Sequence, residues 1–529
     1  MKFAYFYVFT CLVIVKVKCE IDFNCVDMVT EGENKTFKGC LGIPYAYPPL
    51  NDLRFSNPKM YPIFNESLNY TEEKENCIGI GRRGVEDCLY LNIFYPEGSR
   101  TGDLKPVLVY IPGHFFLEAD TSLASARPDY FIDQDLIVVT VNYRQGLFGF
   151  GSADDSGNWG IKDIWSALIW INSYIDEFGG DDNRVTVLAH GSGAVCVSIL
   201  QQNSEVKGLF QHLILQSGSS LVSWGRGHKS REFFWKVAEK LNLDTSNSSS
   251  VMEEMKKYPN LKDLQEVTKK LYREMKTVNN PLDGLPIGPR LEVIDPMAVF
   301  TDTSHESLFQ GNFVHVPTLM GFTSMEAITS TILYISGFIE YFTPKDYCER
   351  SMNINDEDRA TVGEIIRQYY FPQKTPFDHS KTLKYVSDIL FVRPIMETAR
   401  QSSKYNPVFL YVFNKYGIHE QEMEYPGISH EAELPYLFPT YKDFAKVPSN
   451  DSTRVNLITL WTNFIRYGHP TPLVYENDFT WLKVNDLQDH SLYASIDESV
   501  NLRLDPFHRD MAFYDNIYST YGNPPFDSF

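Results

Sequence analysis

Positive charge is what this chain has least of for its size. Lys and Arg number 48 against 68 Asp and Glu, leaving a formal net charge of -20. Gripping a phosphate backbone needs clustered Lys and Arg, so nucleic acid is excluded as a partner. The acidity itself asks for nothing beyond solubility. Long apolar runs are also missing: the run Phe3 to Val15 is shorter than the ~20 residues of a spanning helix, and no transmembrane anchor is expected. Cysteine is sparse, eight in 529 residues. No Cys/His spacing of metal-ligand type occurs, and Gly179-Gly180 reads as a turn before a strand rather than a phosphate-cradling loop. No metal and no cofactor are expected. Internal repeats and low-complexity segments are absent too, which excludes a solenoid.

What is present begins with a targeting segment. Lys2 precedes the apolar run, and the small residues Val17 and Cys19 precede Glu20, the layout of a cleavable signal peptide over residues 1–19. The C-terminus, Gly522 to Phe529, is neither a retention tetrapeptide nor a lipid-anchor tail. A secreted, extracellular protein follows. Five glycosylation sequons begin at Asn34, Asn65, Asn69, Asn247 and Asn450, which fits a glycoprotein. Cys11 and Cys19 fall in the signal peptide. Cys25 and Cys40 are expected to pair across an N-terminal hairpin, a bridge that an oxidising compartment lets persist. Cys196 lies in an apolar stretch and reads as a buried thiol; Cys348 has no obvious partner.

Short apolar runs recur at Val107–Ile111, Leu136–Asn142, Val185–Leu188, His212–Gln216, Val316–Met320 and Val408–Phe413, the signature of strands buried on both faces. Ile161, Ile164, Leu168, Ile171 and Ile175 form one apolar helix face between two of them, and Leu264, Val267, Leu271 and Met275 another in a charged stretch. The alternation predicts an α/β fold with a mostly parallel central sheet and helices on both faces, whose functional groups lie on loops at the carboxyl ends of strands. At 43% hydrophobic residues the chain can bury a large core, though length alone leaves one domain or several open.

Val185-Thr186-Val187-Leu188-Ala189-His190-Gly191-Ser192-Gly193-Ala194 has the layout of a nucleophile elbow: strand, tight turn, helix. Such a turn needs small residues two positions either side of its apex. An apex at Gly191 is flanked by Ala189 and Gly193, both small. An apex at Ser192 is flanked by His190 and Ala194, and an imidazole crowds the turn. The strand start set by Phe178-Gly179-Gly180-Asp181 also favours Gly191. Glycine has no side chain with which to attack a carbonyl.

Several ordered motifs carry a resemblance. They are Leu41-Gly42-Ile43-Pro44-Tyr45-Ala46, Glu86-Asp87-Cys88-Leu89-Tyr90-Leu91-Asn92-Ile93, Val141-Asn142-Tyr143-Arg144, Gly157-Asn158-Trp159-Gly160, Gln216-Ser217-Gly218 and Trp461-Thr462-Asn463-Phe464. From about residue 37 to about residue 515 the chain resembles the type-B carboxylesterase/cholinesterase family. The resemblance implies the α/β-hydrolase fold in one domain over 20–529 and a disulfide between Cys77 and Cys88. It also aligns Gly321-Phe322-Thr323-Ser324-Met325-Glu326 with the family's acid loop and Gly427-Ile428-Ser429-His430-Glu431 with its histidine loop. Glu326 then falls on the acid position, His430 on the base position and Ser217 on a serine outside the nucleophile role. The family's oxyanion loop, rich in glycine, corresponds to Pro112-Gly113-His114-Phe115-Phe116, where His114 and Phe115 replace two glycines. No aromatic residue lies between Cys77 and Cys88, so a choline site on that loop is not expected.

Apex and oxyanion loop are thus both altered, and one lost oxyanion donor alone costs about 100- to 1000-fold in rate. The expectation is a catalytically inactive member of the non-catalytic branch that resembles neuroligin and glutactin, with Gly191, Glu326 and His430 as vestigial positions. It would bind an extracellular protein or a small apolar ligand, in adhesion or matrix, and the resemblance extends to a homodimer through late helices such as Phe507 to Thr520. The alternative is an active carboxylic ester hydrolase using Ser192 with His430 and Glu326.

Overall fold

A computed structural model describes residues 23–526 apart from 63–68, 82–83, 279, 294–296, 329–338, 340, 373–377, 417–426, 441–446, 449, 473–478 and 525. The signal-peptide segment, Cys11, Cys19 and Asn65 lie outside the described residues. Twelve strands form one sheet in the order β12-β11-β10-β9-β8-β7-β5-β6-β4-β2-β1-β3. They are β1 Asn24–Val29, β2 Thr36–Pro44, β3 Asn69–Tyr70, β4 Tyr90–Pro96, β5 Lys105–Ile111, β6 Ile137–Val141, β7 Gly180–His190, β8 His212–Gln216, β9 Thr318–Thr323, β10 Val408–Phe413, β11 Leu492–Ile496 and β12 Val500–Leu504. From β6 through β5, β7, β8, β9 and β10 to β11 every pairing is parallel. Antiparallel β4, β2 and β1 extend one edge and β12 the other.

The central strands are buried along both faces, which is why their sequences read as continuous apolar runs rather than alternations. Their side chains nonetheless divide by parity. Val107, Val109, Ile111, Val187 and Ala189 enter one core with Ile161, Ile164, Leu168 and Ile171 of the helix Trp159–Tyr174. Leu108, Tyr110, Leu188, Ile214 and Tyr411 enter the other with Leu457, Trp461 and Phe464 of the helix Ser452–Tyr467. The α/β-hydrolase arrangement is the result. The helix Leu261–Val278 buries Leu264, Leu271 and Met275 as their spacing predicts.

β7 differs from its predicted extent: pairing begins at Gly180, where Lys105 sits opposite, and the register shifts before Val107 joins Val185. The Gly179 turn therefore feeds directly into the strand. Cys25 and Cys40 are bonded to each other, as are Cys77 and Cys88, and Cys196 and Cys348 are buried free thiols. Asn34, Asn69, Asn247 and Asn450 are exposed. The helix His508–Tyr521 turns Met511, Tyr514, Ile517 and Tyr518 into the chain's own core, leaving Arg509, Ala512, Asn516, Ser519 and Thr520 outward. No helix among the described residues is long and apolar enough to cross a membrane.

Candidate functional site: the turn after β7

Between β7 and the helix Ser192–Leu200 the chain reverses at one residue, Gly191, with φ 54° and ψ −122°. An L side chain resists this backbone; glycine does not. Its amide hydrogen goes to Gln216 O at 2.9 Å, and its carbonyl accepts from Val195 N at 3.1 Å. Neighbouring backbones press on the turn from all sides. A Cβ on Gly193 would lie 2.4 Å from Ile111 O, and one on Gly218 would lie 2.3 Å from Gly191 O. Small residues are thus dictated by contact at these places.

The position a Cβ on Gly191 would take lies 3.5 Å from His430 Nε2. Gly191 therefore stands where a side chain would meet the imidazole. Its α-hydrogen cannot serve as a nucleophile. Ser192, one residue on, is wholly buried, with its hydroxyl 2.5 Å from where a Cβ on Gly113 would be. Ser192 Oγ makes no hydrogen bond to His430.

Behind the turn His430 and Glu326 are paired. His430 Nδ1 and Glu326 Oε2 are 2.5 Å apart. Glu326, fully buried, also accepts the Ser217 hydroxyl and the Thr323 amide at its other oxygen, both at 2.7 Å. Ser217 thereby supports the carboxylate, with a left-handed φ of 52° fixing its direction. Burial pushes the His430 imidazole down, but the charge and hydrogen bond of Glu326 outweigh it, and the net direction is up. Glu433, two residues further along the same loop as Glu431, is pushed up to about 8 by burial, with the charge of Glu326 adding to the effect.

The loop aligned with the oxyanion loop, Gly113 to Phe116, is closed by its own backbone hydrogen bonds. The His114 amide donates to Glu118 O at 3.0 Å, closing a tight turn. Phe115 and Phe116 sit at φ 53° and 61°, left-handed values with a cost of about 1–2 kcal/mol each for an L residue. Phe115 is held there by packing: its ring is 5.3 Å from Trp224 and 6.2 Å from His430, and Phe391 lies 5.4 Å from both Trp224 and His430. Phe115 and Phe391 thus flank the imidazole, and Trp224 packs behind both of them. Gly113 O stands 2.9 Å from the Cβ position on Gly191, closer than a real Cβ tolerates. Loop and apex have closed on each other.

The structure also gathers residues that local spacing did not single out. His190, the last residue of β7, lies with its ring 4.8 Å from that of His430. Glu431, at φ 71°, has Oε1 3.4 Å from His114 Nδ1. His190 borders the apex and Glu431 follows His430, so their proximity in sequence to the two aligned positions was a usable signal. Phe391 and Trp224 had none, because only the tertiary fold brings Phe391 to the imidazole and Trp224 behind it.

The carboxylesterase family pattern matches residues 26–514. Juvenile hormone esterase of Tribolium castaneum is 28% identical over 506 residues, which cover 85% of this chain and 83% of that protein. Esterase FE4 of Myzus persicae is 30% identical, covering 84% of this chain and 82% of its own. Neuroligin-3 of Mus musculus is 27% identical over 85% of this chain, spanning 61% of that longer protein. The solved structure of juvenile hormone esterase from Manduca sexta, with OTFP covalently attached, matches with a TM-score of 0.81 at 24% identity, over 93% of this chain and 97% of that one; at this identity the likeness is one of fold. The family pattern spans nearly the whole described chain, and the chain belongs to the carboxylesterase family.

Proposed function

We propose that this member of the family is secreted and acts by binding rather than by hydrolysis. One observation carries the reading: the only atom Gly191 turns toward the imidazole of His430 is hydrogen. Acyl transfer needs a nucleophile within hydrogen-bond reach of the base and donors aimed at the oxyanion. Here the first is missing, and the His114 amide is committed to Glu118. The Glu326–His430 pair persists because removing either partner would strand the other in a low dielectric, a loss of several kcal/mol. The partner is an extracellular protein. A small apolar ligand in the former acyl space is the less favoured occupant, because Phe115 and Phe391 already pack against His430 there, with Trp224 behind them. Homodimerisation through the helix His508–Tyr521 would use a face of small and polar residues, and sedimentation at the mass of one chain would discard it.

Hydrolysis of short-chain p-nitrophenyl esters by the purified, secreted protein tests the reading. The expected rate equals that of the Glu326→Gln variant, since neither has a productive relay. Turnover that drops a hundredfold or more in that variant, in line with the loss of a working catalytic group, would establish an enzyme instead. Secretion and glycosylation are read from the same preparation: the protein collects in the medium of secreting cells, and its mass falls on removal of N-linked glycans.

A further inference from the structure

We infer that the cluster beside the apex is a binding site for a divalent transition ion, Zn²⁺ by its donor set, held by His190, His430 and Glu431. These three side chains are buried, and each brings one donor atom within 4.8 Å of the other two. They come from two elements, the end of β7 and the loop that follows β10, so the cluster is a product of the fold. Two imidazoles and one carboxylate, with a fourth position open, form a recognised zinc donor set. A hard cation such as Ca²⁺ would want six to eight oxygens, which the cluster does not supply.

Three features of the site favour an ion over a chance gathering. First, Glu326 takes Nδ1 of His430, which leaves Nε2 as the nitrogen facing the cluster. A carboxylate on the far nitrogen is the usual way a metal-binding histidine is oriented and made more basic. Second, the rings of His190 and His430 are inclined at 53°, so they are not stacked against each other. Third, a side chain on Gly191 would start 3.5 Å from His430 Nε2, and with glycine there no side chain of the apex competes for that nitrogen. Glu431 is held in a left-handed backbone with its carboxylate 3.4 Å from His114 Nδ1, so its direction is also constrained.

Donors on a tetrahedral zinc at about 2.0–2.1 Å stand about 3.3 Å apart. The separations here, up to 4.8 Å, close to that value with side-chain rotations of about 1 Å. The inference uses the position of Gly191 and is independent of whether the protein turns over esters.

Chelator-treated full-length protein titrated calorimetrically with ZnCl₂ tests it, with CoCl₂ titrated in parallel and followed by visible absorption. One ion per chain is expected, with four-coordinate cobalt bands. His190→Gln and Glu431→Gln should each abolish saturable binding, and Glu326→Gln, which removes only the orienting carboxylate, should weaken it by about 10- to 100-fold. Circular dichroism of each metal-free variant separates ligand loss from unfolding, and the cobalt spectrum of the unsubstituted protein stands without any variant. Absence of saturable binding, six-coordinate cobalt, or zinc binding that survives both ligand substitutions would overturn the site.

Discussion

At Phe115 two terms oppose each other and their sizes decide what a substitution does. The ring is 4% exposed and packs on Trp224 and His430, so truncation should cost about 3–5 kcal/mol. Its backbone, at φ 53°, costs an L residue about 1–2 kcal/mol that glycine does not bear. Packing wins, so both Phe115→Ala and Phe115→Gly destabilise. The alanine variant keeps the strain, however, and should be the worse by about 1 kcal/mol. Chemical denaturation of the two variants checks the order, which is the reverse of that in an ordinary core position. A glycine variant less stable than the alanine one would mean the left-handed turn is not strained.

A second residue-scale prediction concerns Glu349. It is fully buried, accepts hydrogen bonds from Ser223 and Ser351, faces Asp283 and Arg393, and is pushed up to about 8, chiefly by burial. Below its unfolded value of 4.5 the group is protonated in both states and its contribution is fully present. As pH rises from 4.5 toward 8 the unfolded chain releases the proton and the folded chain keeps it, so stability falls. Bookkeeping at 1.36 kcal/mol per unit puts the loss at a few kcal/mol. Between pH 5 and pH 8 the melting temperature of the unsubstituted protein should drop more than that of Glu349→Gln. Parallel melting curves would show that the carboxyl does not hold its proton.

At the scale of elements, the turn after β7 is fixed by backbone contact. Gly193→Ala would push a methyl group against Ile111 O at 2.4 Å and Pro112 O at 2.8 Å, both backbone atoms. Overpacking of this kind costs about 1–3 kcal/mol, and thermal unfolding should register it without change in secondary structure. The Cys77–Cys88 bridge closes a short loop with a sequence separation of 11, for which the chain-entropy model gives about 3 kcal/mol. The Cys77→Ser, Cys88→Ser double variant should lose about that much in urea unfolding.

Elements also divide by how legible they were. The parallel strands announce themselves because burial on both faces removes polar residues: His212–Gln216 and Val408–Phe413 match the apolar runs end for end. β1, Asn24–Val29, and β12, Val500–Leu504, are edge or near-edge strands with half-exposed, polar sequences, and no run marks them. Glu326 and His430 were found by motif, and the choice of Gly191 over Ser192 as apex rested on the steric need for small flanking residues. What the chain could not reveal in one dimension was convergence. Phe115, Phe391 and His190 reach the same imidazole from three separate segments, and the His114 amide is taken by a carbonyl four residues along.

For the whole molecule, a net charge of -20 and a central sheet buried on both faces leave the surface loops as the place where a binding partner would be selected under the proposed function. Among the described residues the family fold surrounds a turn whose apex, Gly191, carries no side chain. Evolutionary relatives named esterases and relatives named neuroligins are matched at similar identity, so descent alone does not choose between catalysis and binding; the proposal of binding rests on the bare α-carbon at Gly191. The intact mass of the protein after exposure to an excess of an organophosphate such as diisopropyl fluorophosphate tests this most directly. The account predicts an unchanged mass, with or without Ser192→Ala. One phosphoryl adduct per chain, present in the unsubstituted protein and lost in Ser192→Ala, would contradict it.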